Sequence, residues 1–423
     1  MGASLTSFDA FLKENYGNKE RVQKLIYQDF PFLGFISKKQ GSVAASGDTL
    51  IAPVIYGTPQ GLSGSLANAQ TAAAASGGST QAKKWTCSYG DYSAAITLSD
   101  KLLKLSASDN GAYFEAKKLE IDALYTSWSQ VFSSYLLTNK TRNLGTFTES
   151  TGVCTLTNAD DVVNYYPGML VQASANDGSS TGHALLGSSS IGYVIAVNPN
   201  AGTFTVSATD GGSAGTPSGW TGTMYGFRYG DFGGTSSPAV VVDGFADWCP
   251  SADPSATAFN GVARTANIMA LSGIRLTSTE VAGLSTEQRL KRLVTRMGGR
   301  GFGAPTAIFV NPEKWQDIAD GLESRGVRDA LGKDAAFGYQ TIKVAAGGRL
   351  IDIYSDRFVP VGAIYALRKE AFTLHTPGEF PEVVSGDGLQ MLRKATTNDY
   401  EFRLTTYPCT VATPGFLGRA TAA

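Results

Sequence analysis

The chain has 423 residues, more than one hydrophobic core usually serves, so two or three packed units are expected. Apolar residues make up 43% and charged residues only 17%, and 35 Lys and Arg against 36 Asp and Glu leave a formal charge of -1. That balance excludes a protein that grips nucleic acid through clustered positive charge, and the 49 glycines, many in Ser/Thr/Ala-rich stretches, suit a loop-rich neutral surface made for lasting protein contacts.

Taken in chain order, residues 1–48 read as an arm. Helical patterns over Ser7–Tyr16 and Lys19–Tyr27 precede the aromatic run Phe30-Pro31-Phe32-Leu33-Gly34-Phe35, where Pro31 and Gly34 break any regular element. DTLIAPVIY at 48–56 predicts a strand, and its internal Pro makes it an edge strand. Residues 57–82 are poor in large apolar side chains, which points to a functional loop. KWTCSYGDYSAAITL at 84–98 then returns antiparallel to the outgoing strand. The pair makes a long two-stranded finger, and an isolated hairpin is marginal in water, so the finger needs a partner surface.

A long helix follows over 111–137, with Asp109-Asn110 as cap. Phe114, Ile121, Leu124, Trp128, Val131 and Tyr135 share one stripe, and the helix would be about 40 Å long. Residues 141–235 exchange helix formers for Gly, Ser, Thr and Val. Strands are predicted over 152–156, 169–173, 191–197 and 203–207, the last two joined by a hairpin through NPNAG. The segment reads as a separate β-rich insertion.

From 236 the pattern is mixed. PAVVVD at 238–243 and residues 273–277 read as extended. LSTEQRLKRLVTRM at 284–297 is an amphipathic helix with Ser285 and Gln288 as a capping box, ending at Gly298-Gly299. AIFV at 307–310 is a buried strand, and Asn311-Pro312 opens a helix over 313–322. Strands follow at 341–345, 349–355, 362–367 and 371–375, and YEFRLTTYPCTV at 400–411 is one long closing strand.

Residues suited to catalysis are few. His183 and His375 are the two histidines, neither with a nucleophile elbow or zinc spacing. Cys87, Cys154, Cys249 and Cys409 lie too far apart for a CxxC site and read as isolated thiols. GGRGFG at 298–303 follows a helix where a phosphate loop needs a strand, so it reads as a helix end and turn. No catalytic residue, cofactor or metal site is expected. There is no apolar run of about 20 residues, and the N-terminus lacks a signal core; Met1-Gly2 is formally compatible with myristoylation, but nothing else signals a membrane. Synthesis in the cytoplasm is expected.

The order of elements, together with ITLSDKLLKLSASDNGAYFEAKKLEIDALYTSWSQVF at 96–132, PTAIFVNPEKWQDIADGL at 305–322 and NDYEFRLTTYPCTVATPGFLGRA at 398–420, resembles the major capsid proteins of tailed bacteriophages. The same fold builds encapsulins and the herpesvirus capsid floor. The motifs are degenerate, so the likeness is to an architecture that covers most of the chain.

The resemblance implies an α+β fold with an N-terminal arm (1–48), an extended β-hairpin loop (49–98) and a spine helix of the peripheral domain (99–140). It further implies an inserted β-rich domain (141–235), a peripheral continuation (236–304), an axial domain (305–375) and a return to the peripheral domain with the C-terminal strand (376–423). The function it implies is a non-enzymatic subunit that assembles as hexamers and pentamers into an icosahedral virion shell. Phe30, Phe32 and Phe35 of the arm, with Lys83, Lys84 and Trp85 at the finger base, are the candidate intersubunit contacts. Implied partners are further copies of the chain, packaged double-stranded DNA contacted non-specifically, and portal, scaffolding and decoration proteins, with assembly in the host bacterial cytoplasm.

Two departures from the family pattern refine this. The arm from Met1 is short, so separate scaffolding, or none, is expected. Relatives that cross-link use a Lys near the loop tip, and 57–82 contains none, so a non-covalent shell is expected. An encapsulin-type shell is the alternative within the fold, although encapsulins usually lack such an insert. A secreted surface-layer protein or adhesin would suit the Gly/Ser/Thr content, but not the missing signal peptide.

Overall fold

The computed structural model describes residues 30–40, 45–46, 49–75, 78–100, 110–179, 183–233, 242–324, 342–346, 348–384, 391–394 and 396–422, with side chains of 110–119 and 322–324 and of 45–46 excepted. The two helical patterns expected before residue 28, and residues 238–241 of the extended segment expected at 238–243, lie outside these residues.

Asn110–Leu137 is a single 28-residue helix. Ala, Leu, Glu and Lys sustain it, and no Gly or Pro interrupts it after Gly111. Trp128, Phe132, Tyr135 and Leu136 are buried, one and two turns apart, so its C-terminal half faces the core. Trp128 and Phe132 stack at 5.3 Å, and Phe380 meets both edge-on at 4.9 and 5.1 Å. The strand Tyr92–Leu98 lies beside this helix and pairs over its whole length with Tyr400–Thr406.

That pairing divides the finger's return strand. Gln81–Ser88 pairs with Thr49–Gly57, whereas Tyr92–Leu98 leaves the finger for the C-terminal segment. The finger is therefore shorter than expected, and its tip is not all loop: Leu66–Ala74 is a helix, capped by Ser65 Oγ accepting from the Asn68 amide at 3.3 Å. Alanine, the best helix former, makes a helix here without any buried side chain. The arm also departs from expectation. Pro31 does not break structure but starts it, as the first residue of the one-turn helix Pro31–Phe35.

Residues 146–228 close into a six-stranded barrel in the order Thr203–Ser207, Val153–Leu156, Thr146–Ser150, Thr223–Arg228, Leu170–Ser174, Gly192–Asn198 and back to the first. Burial alternates residue by residue in Thr146–Ser150 and Val153–Leu156, as a strand with one wet face requires. Phe147, Tyr165 and Phe204 fill the centre, Tyr165 stacking on Phe204 at 4.0 Å and Phe147 edge-on to it at 5.2 Å. The first hairpin turns through Thr151 and Gly152, both at positive φ (52° and 84°), which matches the right-handed strand twist. A side chain at Gly152 would also come within 2.4 Å of the Gly215 nitrogen. Glu149 Oε1 accepts from the Gly152 amide and from Thr216 Oγ1, at 2.5 and 2.7 Å.

A second, six-stranded mixed sheet runs Ile274–Leu276, Leu417–Thr421, Ala363–Leu367, Ala307–Val310, Arg349–Ser355, Ile342–Ala346. Both faces are covered, which is why AIFV and AIYAL carry no polar alternation. Phe309, Ala363, Tyr365 and Leu367 enter the main core with the arm and spine helix. Ile308, Val310, Ile364 and Ala366 face the helix Thr286–Arg300, whose Leu290, Leu293, Val294 and Met297 recur at helical spacing. That helix continues through Gly298-Gly299 to Arg300 rather than ending there, and the Gly301 amide closes on the Met297 carbonyl at 3.0 Å.

Packing runs across the expected boundaries at 305 and 375. Thr286–Arg300, Ile274–Leu276 and Leu417–Thr421 belong with the sheet assigned to 305–375, because the helix's apolar face has nowhere else to be buried. Phe372–Thr376 instead joins Ser37–Gln40 of the arm and Cys409–Ala412 in a separate three-stranded sheet. The closing strand expected over 400–411 is likewise two strands, broken where Pro408 lacks an amide to donate.

A half-buried acidic pair ties the end of the spine helix to the segment leaving the barrel. Asp247 Oδ2 accepts from the Lys140 and Gly244 amides at 2.7 and 3.0 Å, and Asp243 accepts from Asn260 at 2.8 Å. Burial first, then the neighbouring Asp243, pushes the Asp247 carboxyl up to about 7 from 3.8. The folded chain thus holds a proton that the unfolded chain releases between those two values, and stability falls as pH rises from about 4 to 7. Asp247→Asn keeps an acceptor and removes the charge. Thermal melts from pH 5 to 8 should therefore fall less steeply for the variant, by roughly 1–3 kcal/mol across the range. An unchanged slope would refute the assignment.

Candidate assembly surface

Phe32, the centre of the arm's aromatic run, is fully buried in its own chain. Phe309, Phe372 and Phe245 surround it edge-on at 5.1, 5.8 and 6.4 Å, and its amide donates to Asp356 Oδ2 at 3.1 Å. Phe30 stacks on Phe358 at 6.5 Å, and Phe35 meets Phe309 at 5.4 Å and Tyr354 at 6.0 Å; both are half-buried. From Phe30 onward the arm is docked on its own body.

The finger base is anchored similarly. Trp85 is 1% exposed between Trp248 at 5.2 Å and Phe259 at 6.2 Å. The Thr86 amide donates to the Asn260 carbonyl at 2.9 Å, and Asn267 Nδ2 to the Tyr56 carbonyl at 3.1 Å. Lys83 lies over the Tyr56 ring at 6.0 Å and Lys84 is exposed. Of the six candidate contacts, Phe32 and Trp85 are thus core residues, because both large rings find complete apolar surroundings within the chain. Phe30, Phe35, Lys83 and Lys84 keep exposed surface.

What the finger leaves uncovered lies further out. Ile55, Leu62 and Leu66 are 67%, 82% and 75% exposed. Among the described residues, Gln81–Ser88 pairs on one side only, and Thr49–Gly57 has a second neighbour, Ala45–Ser46, only at its first two residues. Open strand edges beside exposed apolar side chains form a surface that invites pairing. Leu350, 72% exposed, marks a second such spot on the hairpin Ile342–Ala346 and Arg349–Ser355. Sequence reasoning passed over these leucines. The alanine run after Ser65 was the available signal for the tip helix that presents Leu66.

The other polar groups are arranged for packing. His375 sits in a strand with Nε2 3.0 Å from Thr373 Oγ1, and burial pushes its pKa down. All four cysteines are buried free thiols, and burial pushes that of Cys249 up to about 11. Among the described residues, no group of three His, Cys, Asp or Glu side chains could hold a metal, and no helix is long and apolar enough to cross a membrane.

No family model matches the sequence, and no curated protein matches it. Solved structures do. A chain from the Cyanophage A-1(L) capsid asymmetric unit aligns with a TM-score of 0.54 at 11% identity, over 95% of this chain and 94% of that one. A chain from the capsid of a native GTA particle aligns at 0.47 and 10% identity, over 96% and 93%. The capsid chain of Myoviridae Phage XM1 aligns at 0.42 and 9%, over 95% of each. The first alignment carries the fold assignment: this chain has an α+β phage-capsid fold across almost its whole length.

Proposed function

We propose that this chain is a structural subunit that tiles the icosahedral shell of a tailed phage as hexamers and pentamers, and that it is not an enzyme. The observation that carries this is a projecting finger with open edges and uncovered Ile55, Leu62 and Leu66, on a chain that shares its fold with a phage capsid chain. A hairpin of this kind gains little by itself and gains much by lying on a neighbour. In this reading the finger and the arm before Phe30 cross onto adjacent subunits. The hairpin carrying Leu350 points to the centre of each capsomer, and the barrel at 146–228 is an inserted domain that braces the shell or faces outward.

A net charge of -1 makes the subunit a nearly neutral wall that contacts packaged double-stranded DNA non-specifically. Portal, scaffolding and decoration proteins are the further partners of such a shell, which would assemble in the bacterial cytoplasm and persist as the virion capsid. With no lysine in 57–82, the shell is held without covalent links.

Sedimentation and electron microscopy of the purified full chain test this. Closed particles are expected, dissolving on boiling in detergent to one subunit-sized band. A monomer in every condition would overturn the shell, and a ladder of boiled multimers would overturn its non-covalent character.

A further inference from the structure

Where the spine helix, the barrel and the strand Tyr92–Leu98 meet, an open cavity of about 510 Å³ is lined by Tyr92, Tyr135, Arg142, Arg228 and Asp231. Arg142 is 2% exposed, and neither its Nη1 nor its Nη2 has a hydrogen-bond partner. Its guanidinium lies 4.5 Å over the Tyr135 ring, a contact that covers one face of the plane and leaves the in-plane N–H groups unused. Arg228 Nε, on the same wall, is also buried without a partner. The carboxylate between them, Asp231, accepts from the Tyr135 hydroxyl and makes no ion pair with either guanidinium among the described contacts. The remaining acid on the wall, Asp91, is exposed.

Asp231 and Asp247 both act on Arg142 through their charge, but neither accepts a hydrogen bond from its Nη1 or Nη2. Buried N–H donors without acceptors are costly, and a planar fork of such donors matches an oxyanion in geometry. We propose that this cavity binds a small oxyanion, phosphate or a carboxylate, held by Arg142 Nη1 and Nη2 with Arg228 as the second cation. Burial pushes Arg142 down and Asp231 up from their ordinary values, and the opposite charge of each pulls the other partly back. An anion here would join the end of the spine helix to the last barrel strand, and so fix how the barrel is carried.

Calorimetric titration of sodium phosphate, and separately of sodium acetate, into the full chain tests the proposal, with ionic strength held constant by sodium chloride. Saturable one-site binding of at least one anion is expected, and the stronger of the two identifies the oxyanion class. Arg142→Met should abolish it, and Arg228→Gln, at a half-buried position that a folded chain tolerates more readily, should weaken it at least tenfold. No saturable binding of either anion would overturn the proposal. So would equal affinity in a folded variant, which would mean an adventitious ion only.

Discussion

Serine at Ile55, Leu62 and Leu66 together is expected to leave the chain folded and to abolish particles. All three side chains are largely exposed, so the isolated subunit loses almost no buried apolar surface, and its melting temperature should stay within a few degrees of the parent. In a shell these side chains would be covered by a neighbour, each gaining roughly 1.5–3 kcal/mol on full burial. Losing even half of that at three positions costs about 2–4 kcal/mol per contact, or roughly 30- to 1,000-fold in association. A shell repeats each contact over its whole surface, so the loss compounds. Sedimentation and microscopy read assembly, while circular dichroism and a melt read the fold. Particles at the parent's yield would mean that the finger is not the interlocking element. A collapsed melt would mean that these side chains are core residues of the subunit.

Phe32→Ala should have the larger effect on the subunit itself, about 3–5 kcal/mol of stability, because it empties a site that three aromatic rings enclose. Those rings belong to distant parts of the chain: Phe245 follows the barrel, while Phe309 and Phe372 lie in two different sheets. Phe32 thus locks the arm to a point where several elements converge. Asp356, fully buried, reinforces the lock by accepting from the amides of Phe32 and Phe358 at 3.1 and 3.0 Å. Urea unfolding of the soluble subunit measures the cost, and cleavage near residue 36 by a dilute protease reports release of the arm. Phe32→Leu, which retains most of the volume, should lose no more than about half as much. A loss under about 1 kcal/mol for the alanine variant would show that the arm is only loosely applied.

Chain periodicity was enough to find the spine helix, the capped helix at 284–297 and the strands with both faces buried, since those patterns depend on local spacing alone. It missed Thr146–Ser150, where Phe147 stands among Thr, Glu and Ser, and Thr223–Arg228, where Gly226 interrupts the run between Met224 and Phe227. The Tyr407-Pro408 break and the helix start at Pro31 turn on one backbone donor each, and a residue-type pattern weighs such details poorly.

For the candidate surface the division is sharper. Composition and element order determined that this is a near-neutral α+β chain with a β-rich stretch after its long helix and no catalytic motif. Tertiary structure alone decided which aromatics are spent internally. Phe32 and Trp85 look the same in sequence as residues meant for a neighbour, but distant segments wrap around them, and burial depends on what folds against a side chain. The same holds in reverse for Ile55, Leu62, Leu66 and Leu350, ordinary apolar residues that the fold leaves uncovered. It holds also for Arg142, whose missing partner appears only when the spine helix and the barrel are placed side by side.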